Sequence, residues 1–271
     1  MSGRFSVGID LGTTNSVVAY VDLQSGEDNP ALTVLPMPQL TQPGVVENRN
    51  QLPSFLYQPH ESEVSAQELV LPWGSSESSL VGVIARHLGS KTPLRLVSSA
   101  KSWLCHGGVD RHAAFLPLNT PEDVAKVSPL QASIAYLNHM KAAWNHQNPG
   151  FPLQQQDVTL TVPASFDPAA RDLTVEAARA IGLHNLTLLE EPQAALYSWI
   201  KSSGEQWRKT VKVGDVILVV DVGGGTTDLS LIAVTEEDGN LQLNRIAVGE
   251  HILLGGDNMD LALAYRLKAK L

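Results

Sequence analysis

The 271-residue chain holds a single cysteine, Cys105, so no disulfide can close within it and a reducing compartment is expected. Basic residues are also scarce: 19 Lys and Arg against 28 Asp and Glu leave a formal net charge of −9. That balance excludes nucleic-acid binding through a broad basic surface. The N-terminus, MSGRFSVGIDLGTTNSV, has one early basic residue, and Asp10 interrupts its apolar stretch, so the pattern of a secretory signal is missing. No apolar run reaches the length needed to span a bilayer. The expectation is a cytoplasmic protein with no nucleic-acid and no membrane partner. A P-loop is excluded because no G-x-x-x-x-G-K-[ST] occurs, and no G-x-G-x-x-G leads into a helix. Cys105 and the eight histidines, from His60 to His251, show no metal-ligand spacing and read as structural or surface residues.

What remains is a globular composition, 43% apolar and 17% charged, with length enough for one large domain or two lobes. Two stretches share one pattern. In Arg4–Val21 the apolar run Phe5–Ile9 meets DLGTTNS and leaves as Val17–Val21. In Val216–Val234 the run VILVVD meets VGGGTTD and leaves as LSLIAV. Short β-rich runs around a Gly/Thr turn predict a β-hairpin in each. Asp10–Ser16 and Asp221–Ser230 form a weak internal repeat, spaced far too widely for a solenoid of roughly 20–50-residue period. The spacing suits a duplicated domain in which each half contributes one loop to a shared cleft.

Between the hairpins, Val158–Val162 alternates as a strand into Pro163. A helix is predicted from Asp167 as N-cap and Pro168 at the first position, with Leu173, Ala177, Ala180 and Ile181 on one face and Gly182 as the stop. Leu186–Leu189 reads as another strand, and Glu191-Pro192 opens a helix over Gln193–Ile200. This β-α-β-α order predicts an α/β class. Ser128, with Gln131 three residues on, starts a helix carried by Ile134, Leu137 and Met140–Lys141 to about Trp144. Gln24–Asn50 reads as long loops and turns, and Ser202–Val213 as a polar connector at a lobe boundary. Asp260–Leu271 has helical spacing and stops without a cap, which suggests that the natural domain continues. Trp103 and Trp144 read as core or interface residues.

A phosphate chain needs close backbone N–H donors, hydroxyls and a cation. Gly12, Gly223, Gly224 and Gly225 allow close backbone approach, and Thr13, Thr14, Thr226 and Thr227 offer hydroxyls beside them. Asp10 and Asp221 each sit where a strand meets its loop, placed to face one Mg²⁺ directly or through water. A single D-x-G-T or G-G-G-T is as often a simple tight turn, but two copies with an aspartate at the same strand end favour phosphate binding.

Six segments then occur in order: GIDLGTTNS; LPS at Leu52–Ser54; TVPASF at Thr161–Phe166; EEP at Glu190–Pro192; VVDVGGGTTDLS; and LGGDNMD at Leu254–Asp260. Together they resemble the ATPase domain of the 70-kDa heat-shock protein (DnaK-like) chaperone family, along nearly the whole chain. Sugar kinases and actins share the two hairpins but not usually the other segments as a set. The resemblance implies an α/β, actin-like (ribonuclease H-like) fold, present as its first lobe and the beginning of its second. Residues 1–203 would form lobe I, with approximately 39–124 inserted, and 204–271 the start of lobe II.

The resemblance also implies ATP/ADP and Mg as ligands. It assigns Asp10 and Asp221 to the metal environment, Thr13 to the first phosphate loop, and Gly224, Gly225 and Thr226 to the second. Asp228 matches a carboxylate that positions water, and Glu191 a glutamate of the water and metal network. Lys101, in VSSAKSWL, matches a catalytic lysine that stabilises charge on the transferred phosphoryl group. Glu190 is the rival of Glu191, and a turn cap is the rival role for Asp228. The chain departs from the pattern at Thr227 and Ser165, where aromatics are common, and at Gln193, which replaces a threonine. These departures put the usual cochaperone partnerships in doubt. Client proteins would be bound by a downstream domain. Adenosine-binding residues would lie beyond Leu271, so these 271 residues are expected to bind nucleotide weakly and hydrolyse it little. A small-molecule kinase of the same superfamily and a non-catalytic, filament-forming actin-like protein are the alternatives.

Overall fold

A computed structural model describes residues 3–75, 79–250 and 252–270. His251 and Leu271, read above as a structural or surface residue and as the end of a helix, lie outside the described residues. The fold is mixed α/β, as the strand–helix alternation predicts. The chain packs as two compact units: one runs through Leu160 and takes in Pro168–Thr187, the other joins Thr161–Asp167 to everything from Leu188 on.

The first unit is built on β1 (Phe5–Leu11), β2 (Asn15–Asp22) and the short β3 (Thr33–Val34). It also holds the hairpin β4 (Met37–Gln42) and β5 (Val45–Arg49), and β6 (Leu52–Pro53). Five two-residue strands follow: β7 (Leu56–Tyr57), β8 (Val70–Leu71), β9 (Gly74–Ser75), β10 (Leu80–Val81) and β11 (Leu96–Val97). The main sheet has the order β13-β12-β1-β2-β3, with β6 beside β2, where β12 is Asp157–Val162 and β13 is Leu186–Glu190. β1 runs parallel to β12 (Ile9 opposite Leu160) and antiparallel to β2, so the sheet is mixed. Alternation decides the faces: Phe5, Val7, Ile9 and Leu11 are buried, as are Val158, Leu160 and Val162.

Helix α3 (Pro129–Gln147) and α4 (Pro168–Ala180) follow in this unit, after α1 (Val83–Lys91) and α2 (Ala100–Cys105). Trp144 on α3 is fully buried, edge-on to Phe5 and Tyr20, and its Nε1 donates to the Phe151 carbonyl at 2.8 Å. Ser128 caps α3 as predicted: its Oγ accepts from the Gln131 amide at 3.0 Å, and Gln131 Oε1 accepts from the Ser128 amide at 2.8 Å. The helix outruns the expected end at Trp144 and stops at Asn148, which donates to the Trp144 carbonyl from both its amide and its side chain. A separate apolar cluster of Leu40, Tyr57, Leu71, Leu80, Ile84, Ala85 and Leu88 lies within residues 39–124.

Three expectations for local structure need correction. Gln24–Asn50 is loop as expected through Leu32 but not beyond, because β4 and β5 pair from Met37 opposite Arg49 to a turn at Gly44, whose φ is 74°. Burial overrides the Pro/Gln composition there: Gln39 is fully buried, its Nε2 donating to the Gln51 carbonyl at 2.8 Å. On α4, Leu173, Ala177 and Ile181 are buried as expected but Ala180 is exposed. Thr174 and Ala178 take the inward positions instead, and Thr174 Oγ1 is satisfied by the Ala170 carbonyl at 2.8 Å. Third, Ser202–Val213 is largely helical: α5 (Glu191–Ser203) ends at Gly204, and α6 (Trp207–Thr210) follows with Trp207 buried.

The second unit carries an antiparallel sheet, β14 (Val216–Val222), β15 (Thr227–Glu237) and β16 (Asn240–Val248), then helix α7 (Gly256–Lys268). Asp228, Ser230, Ile232 and Val234 point to the covered face, together with their partners Asp221, Val219 and Ile217. Val216, Leu218, Val220 and Val222 lie on the exposed face. Among the described residues, no helix is long and apolar enough to cross a membrane.

Candidate phosphate-binding site

Both predicted hairpins form, and they share one register. In the first, Leu11 opposite Ser16 is the last pair, and Gly12 to Asn15 link the strands. In the second, Val222 opposite Thr227 is the last pair, and Gly223 to Thr226 link them. Asp10 and Asp221 therefore occupy one position, a residue before the closing pair, and Gly12 matches Gly223. The first loop is tight at its glycine. A Cβ on Gly12 would lie 2.2 Å from the Asn15 carbonyl oxygen, which excludes any side chain there. In the second loop the Gly223 amide donates to the Thr226 carbonyl at 2.8 Å.

Each loop is held by its carbonyls. In the first, Ser54 Oγ donates to the Gly12 carbonyl at 2.7 Å, and the Ser54 amide donates to the Thr14 carbonyl at 2.8 Å. Ser54 is 2% exposed, and its Oγ also pairs with Ser16 Oγ at 2.9 Å. The pairing of Asn15 with Pro53 brings this serine under the loop. In the second, the start of α7 does the same work: the Gly256 amide donates to the Gly223 carbonyl at 3.0 Å, and the Asp257 amide to the Gly224 carbonyl at 2.8 Å. This approach requires Gly255 to lack a Cβ, which would meet the Gly223 and Gly224 carbonyl oxygens at 2.5 Å. Thr227 adds a second tie, its Oγ1 donating to the Leu254 carbonyl at 2.8 Å and its amide to Ile252 at 2.9 Å.

With the carbonyls drawn backwards, the amides of Thr13 and Thr14, and those of Gly224, Gly225 and Thr226, have no acceptor among the described residues. Runs of such amides in a turn make a concave anion site. Thr13 and Thr14 are half-buried, Gly223 is exposed, Gly224 half-buried and Gly225 buried. Asp10 is exposed and Asp221 half-buried.

Asp228 lies directly across from Asp221 and is 3% exposed. Two acids opposite one another repel, so each needs compensation. Asp228 receives it from two hydroxyls: Ser165 Oγ donates to Oδ1, and Thr226 Oγ1 donates to Oδ2 at 3.2 Å. Glu191 is the first residue of α5, where the positive end of the helix dipole favours a carboxylate, with Pro192 behind it. Its rival Glu190 is committed to an ion pair with Arg245. Lys101 is the second residue of α2, half-buried, in the same unit as the first loop. The helix starts from Ser99, held at a φ of 52°, and Cys105 Sγ returns to the Lys101 carbonyl at 3.4 Å. Trp144 is a core residue, and half-buried Trp103 packs edge-on to Phe115.

The sequence profile of the Hsp70 protein family matches residues 79–270. The chain belongs to the Hsp70 family. Among its relatives is the chaperone protein HscA of Enterobacter sp. (strain 638), 33% identical over 273 residues, covering 96% of this chain and 37% of that protein. HscA of Xenorhabdus nematophila is 32% identical over 275 residues, covering 96% and 37%. An HscA homolog of Shewanella denitrificans is 33% identical over 279 residues, covering 98% and 38%. At about one-third identity the chain is a divergent Hsp70-family member, and it spans well under half the length of these relatives.

Sequence reasoning found both loops and quoted the segments that brace them, but it left Ser54, Ser165 and Gly255 without roles. The signal was present as order alone: LPS, TVPASF and LGG each supply one brace.

Proposed function

We propose that this chain is the phosphate-gripping part of an Hsp70-type chaperone ATPase domain with the actin-like fold. In that reading residues 1–203 form the first lobe, with about 39–124 inserted, and 204–271 open the second. The observation that carries the reading is the pair of matched loops, each with its carbonyls tied back and its amides left for an anion. Phosphoryl transfer depends mainly on positioning and electrostatics, which is what such loops supply. Thr13, Thr14, Gly224, Gly225 and Thr226 offer their amides to the phosphates, and Gly12 and Gly223 permit the approach. Asp10 and Asp221 are the metal-facing carboxylates, each on its own hairpin. Carboxylate oxygens suit Mg²⁺, which when bound would offset phosphate charge and keep part of its water shell. Lys101 supplies a fixed positive charge for the transferred group. Glu191 and Asp228 orient water.

Hydrolysis would switch the binding of client proteins by a domain outside this chain, with cochaperones as further partners, in the cytoplasm. The test is protein-observed NMR with increasing Mg-ATP, with and without EDTA. Magnesium-dependent shifts of the Thr13, Thr14, Gly224 and Gly225 amides are expected, saturating above the micromolar range. Shifts confined to other residues would refute the reading. Phosphate release without any added acceptor separates this ATPase from a small-molecule kinase.

A further inference from the structure

We propose that the cleft between α3 and the β8–β9 hairpin is a binding site for an uncharged planar heteroaromatic ring, of the purine-base class, stacked on Trp73 and held at its edge by Asn138. The cleft shares no lining residue with either phosphate loop, so the proposal goes beyond the ATPase reading and does not depend on it.

The cleft has a volume of about 530 Å³, within the range of roughly 300–1,000 Å³ usual for small-molecule sites. One side of it is a single face of α3, on which Ala135, Asn138, Ala142 and Asn145 recur at the spacing of helical neighbours. The two alanines leave a slot that longer side chains would fill. Trp73 forms another side, from the two-residue link between β8 and β9. Its ring is half-buried and stands roughly perpendicular to that of buried His139, with centroids 5.2 Å apart and an interplanar angle of 79°. A packed partner thus sets the tilt of the indole.

The polar groups of the lining keep specific valences unspent. Asn138 is half-buried and has no hydrogen-bond partner among the described residues, so its amide retains both donor and acceptor. Asn145 Oδ1 accepts from the Leu153 amide at 2.8 Å, which orients that side chain and leaves Nδ2 as a donor. His139 donates from Nε2 to the Pro38 carbonyl at 3.0 Å, and burial keeps the ring neutral, so Nδ1 remains an acceptor.

Charge narrows the ligand. Among the described residues no carboxylate lines the cleft to hold a cation, and the Lys141 ammonium is drawn to the Ile181 carbonyl at 2.7 Å. A purely aliphatic ligand would cover the Asn138 amide without satisfying it, which opposes binding. A side-chain amide pairs in bidentate fashion with an adjacent donor and acceptor, as on the edge of a purine. The flat ring of such a base also gains by stacking on an indole.

The test is protein-observed NMR of the whole chain titrated with adenine. The parent is compared with Ala142→Leu, which fills the slot, and Asn138→Ala, which removes a side chain that holds no internal hydrogen bond. Saturable shifts of the Trp73 indole N–H and of Ala135, Asn138 and Ala142 are expected, with a Kd of about 1 mM or tighter. A142L should abolish them, and N138A should weaken adenine roughly 5- to 10-fold. Thermal melts establish that each variant is folded, and N138A alone decides the matter if A142L is not. Shifts confined to other residues, a folded A142L that binds like the parent, or an N138A protein with undiminished affinity overturns the proposal.

Discussion

The two hairpins predict opposite outcomes for one substitution at equivalent positions. In Gly12→Ala the new methyl would lie 2.2 Å from the Asn15 carbonyl oxygen, whereas in Gly223→Ala the nearest atom, the Thr226 carbonyl oxygen, is 3.5 Å away. The second distance is ordinary contact; the first must open by about 0.8 Å merely to reach the 3.0 Å that real Cβ atoms respect. The Asn15 carbonyl cannot give way freely, because Asn15 is paired with Pro53 and its neighbour Thr14 accepts from the Ser54 amide. Gly12 cannot give way either, since its carbonyl holds Ser54 Oγ at 2.7 Å. Relief therefore breaks one or two hydrogen bonds, about 1–3 kcal/mol. The change falls on the loop that presents Thr13 and Thr14, so Mg-ATP affinity should drop by roughly 5- to 150-fold. Urea denaturation and NMR titration with Mg-ATP measure the two effects, with G223A expected to stay near the parent in stability. A Gly12→Ala protein matching the parent in stability and affinity, or a G223A protein as destabilised as G12A, would refute the steric argument.

Ser54→Ala should cost about 1–3 kcal/mol in urea denaturation, because it strips a donor from the Gly12 carbonyl and leaves Ser16 Oγ buried without its partner. Ser128→Ala removes one arm of the α3 capping box and should lower stability by roughly 1 kcal/mol, with Ser128→Asp close to neutral. His139 gives a pH dependence. It is 8% exposed, its Nε2 donates to the Pro38 carbonyl at 3.0 Å, and burial lowers its pKa from the ordinary 6.5 to about 4. Above pH 6.5 the histidine is neutral folded or unfolded, and its contribution is fully present. Between pH 6.5 and about 4 only the unfolded chain takes up the proton, so up to about 3 kcal/mol of stability is lost on acidification. Thermal melts from pH 7.5 to 4 should show this slope. In His139→Gln it should flatten, and a parent slope that His139→Gln leaves intact would assign the effect to other groups.

The parts of the molecule that could be read in advance are those whose cause is local. Period-two alternation with Gly and Thr at the turn predicted both hairpins, and Ser128 with Gln131 predicted the start of α3. The failures share a cause of the opposite kind. The composition of Gln24–Asn50 suggested loop throughout, but Met37, Leu40 and the buried Gln39 make Met37–Gln42 a strand through contacts beyond its own hairpin, the Gln51 carbonyl and the Val83 amide among them. Trp207 does the same for the polar connector, turning it into helix by burial.

The candidate site divides along this line too. Its amide donors were legible because glycine and threonine are local signs, while the groups that aim those donors are distant: Ser54 lies 42 residues from Gly12, and Ser165 lies 63 from Asp228. No periodicity marks such a serine. Only the ordered recurrence of LPS, TVPASF and LGG pointed to them, and it did so without saying what they touch. The two hairpins share a shape yet are braced differently, the first by the side chain and amide of a serine, the second by the backbone of a helix start. The same strand–turn–strand geometry is thus reached from unrelated long-range contacts. That is why the repeat could be seen in the sequence while the braces could not.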